Sequence, residues 1–224
     1  MSEPTCPRSF KLWFALSTVA LLSACAQPVK HADYTAFKNS RPRSILVLPP
    51  TNETADVQAT NSMLSQMTMP LAESGYYVVP VAVMDETFKQ NGLTMAAEIE
   101  ATSPAKLREI FGADTALYSK ITQYGSVYHI VDSATVVTAS ARLVDLKTGD
   151  VLWQGSASAN SNEGNNNAGG GLIGMLVMAA IKQVANSLTD RGHDIAGVTS
   201  YRLLHAGPPN GLLYGPRSPQ YGTD

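Results

Sequence analysis

The segment Ser44-Ile45-Leu46-Val47-Leu48-Pro49-Pro50 limits the folds open to this chain more than any other stretch. Four consecutive apolar residues leave no polar face for water. The run therefore suits a strand buried on both sides, and two prolines, which cannot donate to a ladder, stop it. Thr51-Asn52-Glu53-Thr54 supplies turn and cap residues. From Val57, apolar side chains recur at Leu64, Met67 and Leu71 until Gly75, the spacing of a helix packed along one face. Tyr76-Tyr77-Val78-Val79-Pro80 is a second strand-like run. Strand, helix and strand in that order predict a crossover unit whose two strands are parallel.

Further along, a helix is expected from about Val83 to Gln90, stopped by Asn91-Gly92. A second begins at Ser103-Pro104, with serine as cap, proline at the first helical position, and Leu107, Ile110 and Phe111 on one face before Gly112. Three strand candidates follow, Thr115–Tyr124, Thr135–Val144 and Val151–Ala157. The last two form a hairpin about Leu146-Lys147-Thr148-Gly149-Asp150. The expected fold class is mixed α/β: a small α-β sandwich on a mixed sheet of about five strands, parallel at its start and antiparallel at its end. Asn160 to Gly171 is rich in Asn and Gly and reads as a mobile loop. Leu172 to Ile181 is the most apolar run of the body, continuing to Leu188. It is read either as a helix whose stripe Val177-Ile181-Val184-Leu188 is core, or as a surface that meets a partner or the bilayer through Leu172, Leu176, Val177 and Ile181. From Gly197 the chain is rich in Gly and Pro and is expected to be extended or disordered.

The amino terminus constrains location. Arg8 and Lys11 precede the apolar run Leu12–Ala24, the layout of a secretory signal and too short to span the ~30 Å hydrocarbon core comfortably. Its last residues, Leu22-Ser23-Ala24-Cys25, match the bacterial lipobox. In that motif a peptidase cuts between Ala24 and Cys25 after the thiol has received a diacylglyceryl group; the other reading is an uncleaved anchor or a buried helix. Residues 1–24 are then a signal peptide, 25–43 a lipid-attached tether, 44–196 a single α/β domain and 197–224 the tail. Ala26 and Gln27 follow the cysteine without the aspartate that retains such proteins at the inner membrane, which points to the outer membrane. Of the two cysteines, Cys6 lies in the signal and Cys25 would carry lipid, so no disulfide is available to the mature chain. After cleavage 200 residues remain with 14 basic and 17 acidic side chains, a net charge of −3 that offers no basic patch for nucleic acid.

Tests for chemistry give little. Ser103-Pro104-Ala105-Lys106 and Lys147-Thr148-Gly149 satisfy S-x-x-K and K-T-G, motifs of penicillin-recognising serine enzymes. The ~40 residues between them are too few for such a domain, and a helix cap and a hairpin turn explain both. His31, His129, His193 and His205 have no helical pairing and no cysteine to join them, so no metal site or cofactor is expected. His193 beside Asp194 reads as a solvated helix end. Gly169–Gly171 lack the G-K-[ST] ending of a phosphate loop. Tyr118, Tyr124, Tyr128 and Trp153 fall on expected strands, where packing is the default over ligand stacking.

Leu22-Ser23-Ala24-Cys25, Ile45-Leu46-Val47-Leu48-Pro49-Pro50, Gly75-Tyr76-Tyr77-Val78, Leu143-Val144-Asp145-Leu146-Lys147-Thr148-Gly149 and Gly170-Gly171-Leu172-Ile173-Gly174 together resemble a family. It is that of bacterial lipoproteins of unknown function typified by a neisserial lipoprotein antigen. The resemblance covers the mature chain to about residue 200. It implies a fold like the amino-terminal domain of TolB, an outer-membrane anchor, and genomic company with a lipoprotein similar to the curli secretion channel. The expected function is a lipid-anchored periplasmic protein that binds other envelope proteins, as an accessory subunit of a secretion or assembly system, with self-association through 170–188 as one form of it. An enzyme of the cell wall, with Ser103 or His193 as candidates, is the alternative from another class.

Overall fold

The structure, a computed structural model, describes residues 32–128, 133–163, 190–207 and 209–224. Helix α1 (Thr35–Ser40) precedes β1 (Ser44–Val47), β2 (Thr51–Asn52), α2 (Ala59–Glu73), β3 (Tyr77–Val78) and the helices α3 (Val81–Gln90), α4 (Ala96–Glu100) and α5 (Pro104–Phe111). Strands β4 (Thr115–Tyr128), β5 (Ser133–Asp145) and β6 (Val151–Asn160) and helix α6 (Arg191–Leu204) complete the fold. The sheet runs β3-β1-β4-β5-β6, with β2 also paired to β4.

The apolar run from Ile45 to Leu48 is fully buried, and β1 lies between two parallel neighbours, β3 and β4. The crossover α2 joins β1 to β3 and buries Ala59, Met63, Met67 and Leu71, one side chain per turn against the sheet. Val57 stands outside that helix, 82% exposed: the helical period is real but starts two residues later. Helix α5 opens as expected, with the Ser103 hydroxyl accepting from the Lys106 N–H at 3.4 Å and Gly112 closing it at φ 63°. Its buried line is Leu107 alone, with Phe111 half-buried against Phe88, while Ile110 faces water. Removing the Ser103 hydroxyl frees one N–H at an exposed helix end. Ser103→Ala is therefore expected to lower stability by about 0.5–1 kcal/mol in urea unfolding and to leave the fold intact.

β4, β5 and β6 form the antiparallel half, paired from Thr115 opposite Asp145 to Tyr128 opposite Ser133 with a register shift between Ile121 and Gln123, and from Val136 opposite Asn160 to Val144 opposite Val151 with a shift between Leu143 and Val144. They run beyond the expected ends because ladder bonds between strands order small residues such as Ser126, Ser133 and Ser158, which carry no strand signal of their own. The hairpin turn is held by Asp145, whose Oδ1 accepts from the Lys147 and Thr148 amides and whose Oδ2 accepts from Ser40 Oγ. At the other end of β6, Arg202 donates to the Ser158 carbonyl and pairs with Glu163 at 2.6 Å, and Glu163 accepts from the Asn160 amide.

Two expectations are corrected. The segment before Ser44 is not all tether, since α1 buries Phe37 against the core. The carboxy-terminal part is neither extended nor disordered. Gly197 sits inside α6, which buries Ile195, Val198, Leu203 and Leu204 on β5 and β6, and residues beyond it bury Ala206, Leu212 and Leu213. The returning chain lies on the end of α2: Gly215 donates to the Ser74 carbonyl, Arg217 to that of Gly75, and Ala206 to the buried Ser74 hydroxyl. Trp153 Nε1 reaches the Asn210 carbonyl, and the Tyr34 and Tyr76 phenols reach the carbonyls of Gly211 and Leu213. The Asn/Gly loop from residue 164 onward and the apolar run 172–188 lie outside the described residues.

Candidate functional site

Helix α2 and the first turn of α6 bring together four polar side chains that the sequence keeps far apart. Ser62 and Gln66 stand one turn apart on α2, His193 on α6, and Tyr124 on β4. Tyr124 donates to Ser62 Oγ at 2.8 Å, His193 Nδ1 lies 2.9 Å from the same oxygen, and the Gln66 amide nitrogen lies 2.6 Å from His193 Nε2. With the Gln66 amide in this orientation its nitrogen donates to Nε2, which assigns the ring proton to Nδ1. Ser62 Oγ therefore accepts from both tyrosine and histidine. A serine nucleophile needs the reverse: an imidazole lone pair aimed at its hydroxyl proton and an acid behind the ring. Here an amide stands where the acid would be, and Asp190 caps the helix by accepting from the His193 backbone N–H instead. His193 is thus not the solvated helix end expected but a fastening between two helices.

Two glycines allow the approach. A Cβ on Gly192 would lie 2.8 Å from the Tyr124 ring, and one on Gly197 3.2 Å from Gln66 Oε1. The other sequence candidates do not join this cluster. Ser103 is on the exposed start of α5, Lys147-Thr148-Gly149 form the β5–β6 turn, and Trp153 is core. Ala24, Cys25, Leu172, Leu176, Val177 and Ile181 lie outside the described residues. Among the described residues no three His, Cys, Asp or Glu side chains converge as metal ligands, and no helix is long and apolar enough to cross a membrane.

A second place is a shelf on the opposite face of the sheet from α6. That face is closed at Ala116 and Val144 and opens two residues further along each strand. Two cross-strand rows stand there: Tyr118, Arg142 and Gln154, then Lys120, Ser140 and Ser156. With Glu100 of α4 at one side they line a concavity of about 650 Å³. The Arg142 guanidinium lies over the Tyr118 ring, 4.6 Å from its centre, and Lys120 pairs with Glu53 at 2.8 Å. Burial pushes the Glu100 carboxyl above the ordinary 4.5, against the lowering pull of the Ser119 N–H and of the Arg142 and Lys120 charges. A carboxyl that titrates higher in the fold than in the unfolded chain favours folding when protonated and opposes it when charged. Glu100→Gln is therefore expected to raise the melting temperature at pH 7. The gain should shrink as pH falls through the raised folded-state value and vanish below the ordinary 4.5, where both states hold the proton. No sequence signal marks the shelf, because its rows are set by register between strands up to 36 residues apart.

The family described as "Putative lipoprotein GNA1162-like" matches residues 32–217. A Neisseria meningitidis serogroup B protein named "Putative lipoprotein NMB1124/NMB1162" is 53% identical over 207 residues, 92% of this chain and 95% of its own length. Among solved structures, the crystal structure of lipoprotein GNA1162 from Neisseria meningitidis is 55% identical, spans 65% of this chain and 100% of that one, and superposes with a TM-score of 0.53.

Proposed function

This chain belongs to the GNA1162-like lipoprotein family, and from that premise we propose that it is a lipid-anchored, non-catalytic protein-binding subunit of the cell envelope. It is held on the outer membrane through Cys25 and faces the periplasm. The observation that carries the reading is the set of groups around His193, where the Gln66 amide rather than an acid faces Nε2 and Ser62 faces Nδ1. The one serine–histidine contact among the described residues is wired as a fastening, and the open shelf offers donors and acceptors without a nucleophile–base pair. A surface of that kind binds. The lipobox ending at Cys25, with Ala26 and Gln27 behind it, supports the address.

The experiment is purification of the full-length anchored protein from detergent-solubilised membranes, with wild type and His193→Ala side by side. His193→Ala removes two side-chain hydrogen bonds from a half-buried network and is expected to lower stability by about 1–2 kcal/mol. The same envelope proteins should co-purify with both, and reciprocal purification should return this chain. Cell-wall turnover should match between the two strains. Loss of wall hydrolysis in His193→Ala with unchanged partner recovery would establish the enzyme instead.

A further inference from the structure

We propose that the shelf on β4, β5 and β6 is the docking site for an acidic segment of a partner protein, with Arg142 as its anchor. This rests on the binding function proposed above and names the chemistry of the partner. Three charged side chains line the shelf, Glu100, Lys120 and Arg142, and the first two are engaged. Lys120 and Glu53 hold each other, and Glu100 accepts from the Ser119 amide and is drawn toward its neutral form by burial. Arg142 makes no hydrogen bond or ion pair among the described residues. Its Cζ lies over the Tyr118 ring, 4.6 Å from the centre, and its N–H groups are left without a hydrogen-bond partner among the described residues. A planar fork held in place by a ring under its face loses little freedom on binding a carboxylate, which it can grip with two parallel bonds.

The surroundings fit a chain rather than a free ion. Gln154 stands directly opposite Arg142 on β6, and Ser140 and Ser156 stand opposite each other one row away. None of these three side chains makes a hydrogen bond among the described residues. The rows are separated by about 7 Å along the strands and the strands by about 5 Å, the spacing on which an extended segment presents its alternate side chains and carbonyls. A carboxylate on Arg142 with hydroxyl and amide groups at those intervals is the pattern for an Asp- or Glu-bearing peptide. Charge complementarity therefore selects an acidic segment over a basic or apolar one.

The test is photocrosslinking in the native envelope from a benzoyl-phenylalanine placed at Ser156 of the full-length anchored protein. The crosslinked partner peptide is mapped by mass spectrometry. The mapped peptide should carry Asp or Glu next to the attachment point. Arg142→Glu should cut the yield about tenfold or more, and replacing that acidic residue of the partner by Arg should restore it in the Arg142→Glu background. Arg142→Gln, with an unchanged melting temperature, separates lost charge from lost folding. Unchanged yield in Arg142→Glu, a mapped peptide without acid, or crosslinking to a second copy of this chain would each overturn the proposal. So would a Tyr118 fluorescence titration in which free glutamate at millimolar concentration saturates the site, since that makes the occupant a small molecule. A parallel probe at exposed Met95 tells this failure from that of the broader reading: partners caught there but not at Ser156 sink the shelf alone, and none from either position sinks the binding function too.

Discussion

Gly75→Ala is expected to be the most damaging small substitution in the folded body, lowering stability by about 3 kcal/mol and the melting temperature by roughly 10 °C. Gly75 ends the turn after α2 at φ 95°, a backbone conformation that costs an L side chain about 1–2 kcal/mol by itself. A Cβ there would also collide with the Ser218 amide and come within 2.8 Å of the Gly215 carbonyl, both backbone atoms with no rotamer to yield. Relief requires the returning chain to lift off, which gives up the Gly215 bond to Ser74 and the Arg217 bond to Gly75. Gly92 is the control, since it has φ 77° and a Cβ added there would meet nothing within 4 Å. Gly92→Ala should therefore show the conformational cost alone, about 1 kcal/mol. The difference between the two in urea unfolding measures the docking of residues 205–224, and Gly75→Ala should gain protease cleavage there. Equal losses would mean that the contact contributes nothing.

Cys25→Ser is expected to abolish incorporation of labelled fatty acid and, because cleavage follows lipidation, to leave residues 1–24 attached, which intact mass reads directly. A diacylglyceryl group plus an amide-linked acyl chain provides three chains. At about 0.8 kcal/mol per buried methylene one chain binds reversibly, whereas three do not let go on any biological timescale. A serine hydroxyl is not a substrate for thioether formation, so all three are lost together. The folded body should be untouched, because Cys25 precedes its first described residue, Ala32. The same melting temperature with the lipid lost is the result that separates anchoring from folding. Continued incorporation of labelled fatty acid by Cys25→Ser would overturn the lipid anchor.

Much of the α/β half could be read from residue order, since its cues are local. Ile45–Leu48 is apolar without a break, Leu64, Met67 and Leu71 repeat at helical spacing, and Ser103-Pro104 opens a helix as a cap and first residue do. The parts that escaped depend on distant partners. Gly192 and Gly197 lower the helical preference of α6, and the helix forms there because small residues let it sit against Tyr124 and Gln66. The Gly/Pro stretch after Leu204 looks featureless until the Trp153 indole, the Ser74 hydroxyl and two tyrosine phenols supply what its backbone needs. Ser62 and His193 are separated by 131 positions, and only the packing of α6 on α2 makes them a pair. The shelf is hidden for the same reason. Arg142, Ser140, Gln154 and Ser156 are ordinary strand residues until register lines them up.

The Arg202–Glu163 pair at the end of β6 has a bearing on what the sheet refuses. Among the described residues β6 ends the sheet, ten residues long with an uncharged Gly-Ser-Ala-Ser-Ala sequence, the kind of edge that recruits a neighbour's strand and goes on recruiting. By occupying the Ser158 carbonyl and the Asn160 amide with side chains, the pair removes two rungs that such growth would use. Crowded side by side on a surface, molecules built this way can touch repeatedly without fusing into fibres.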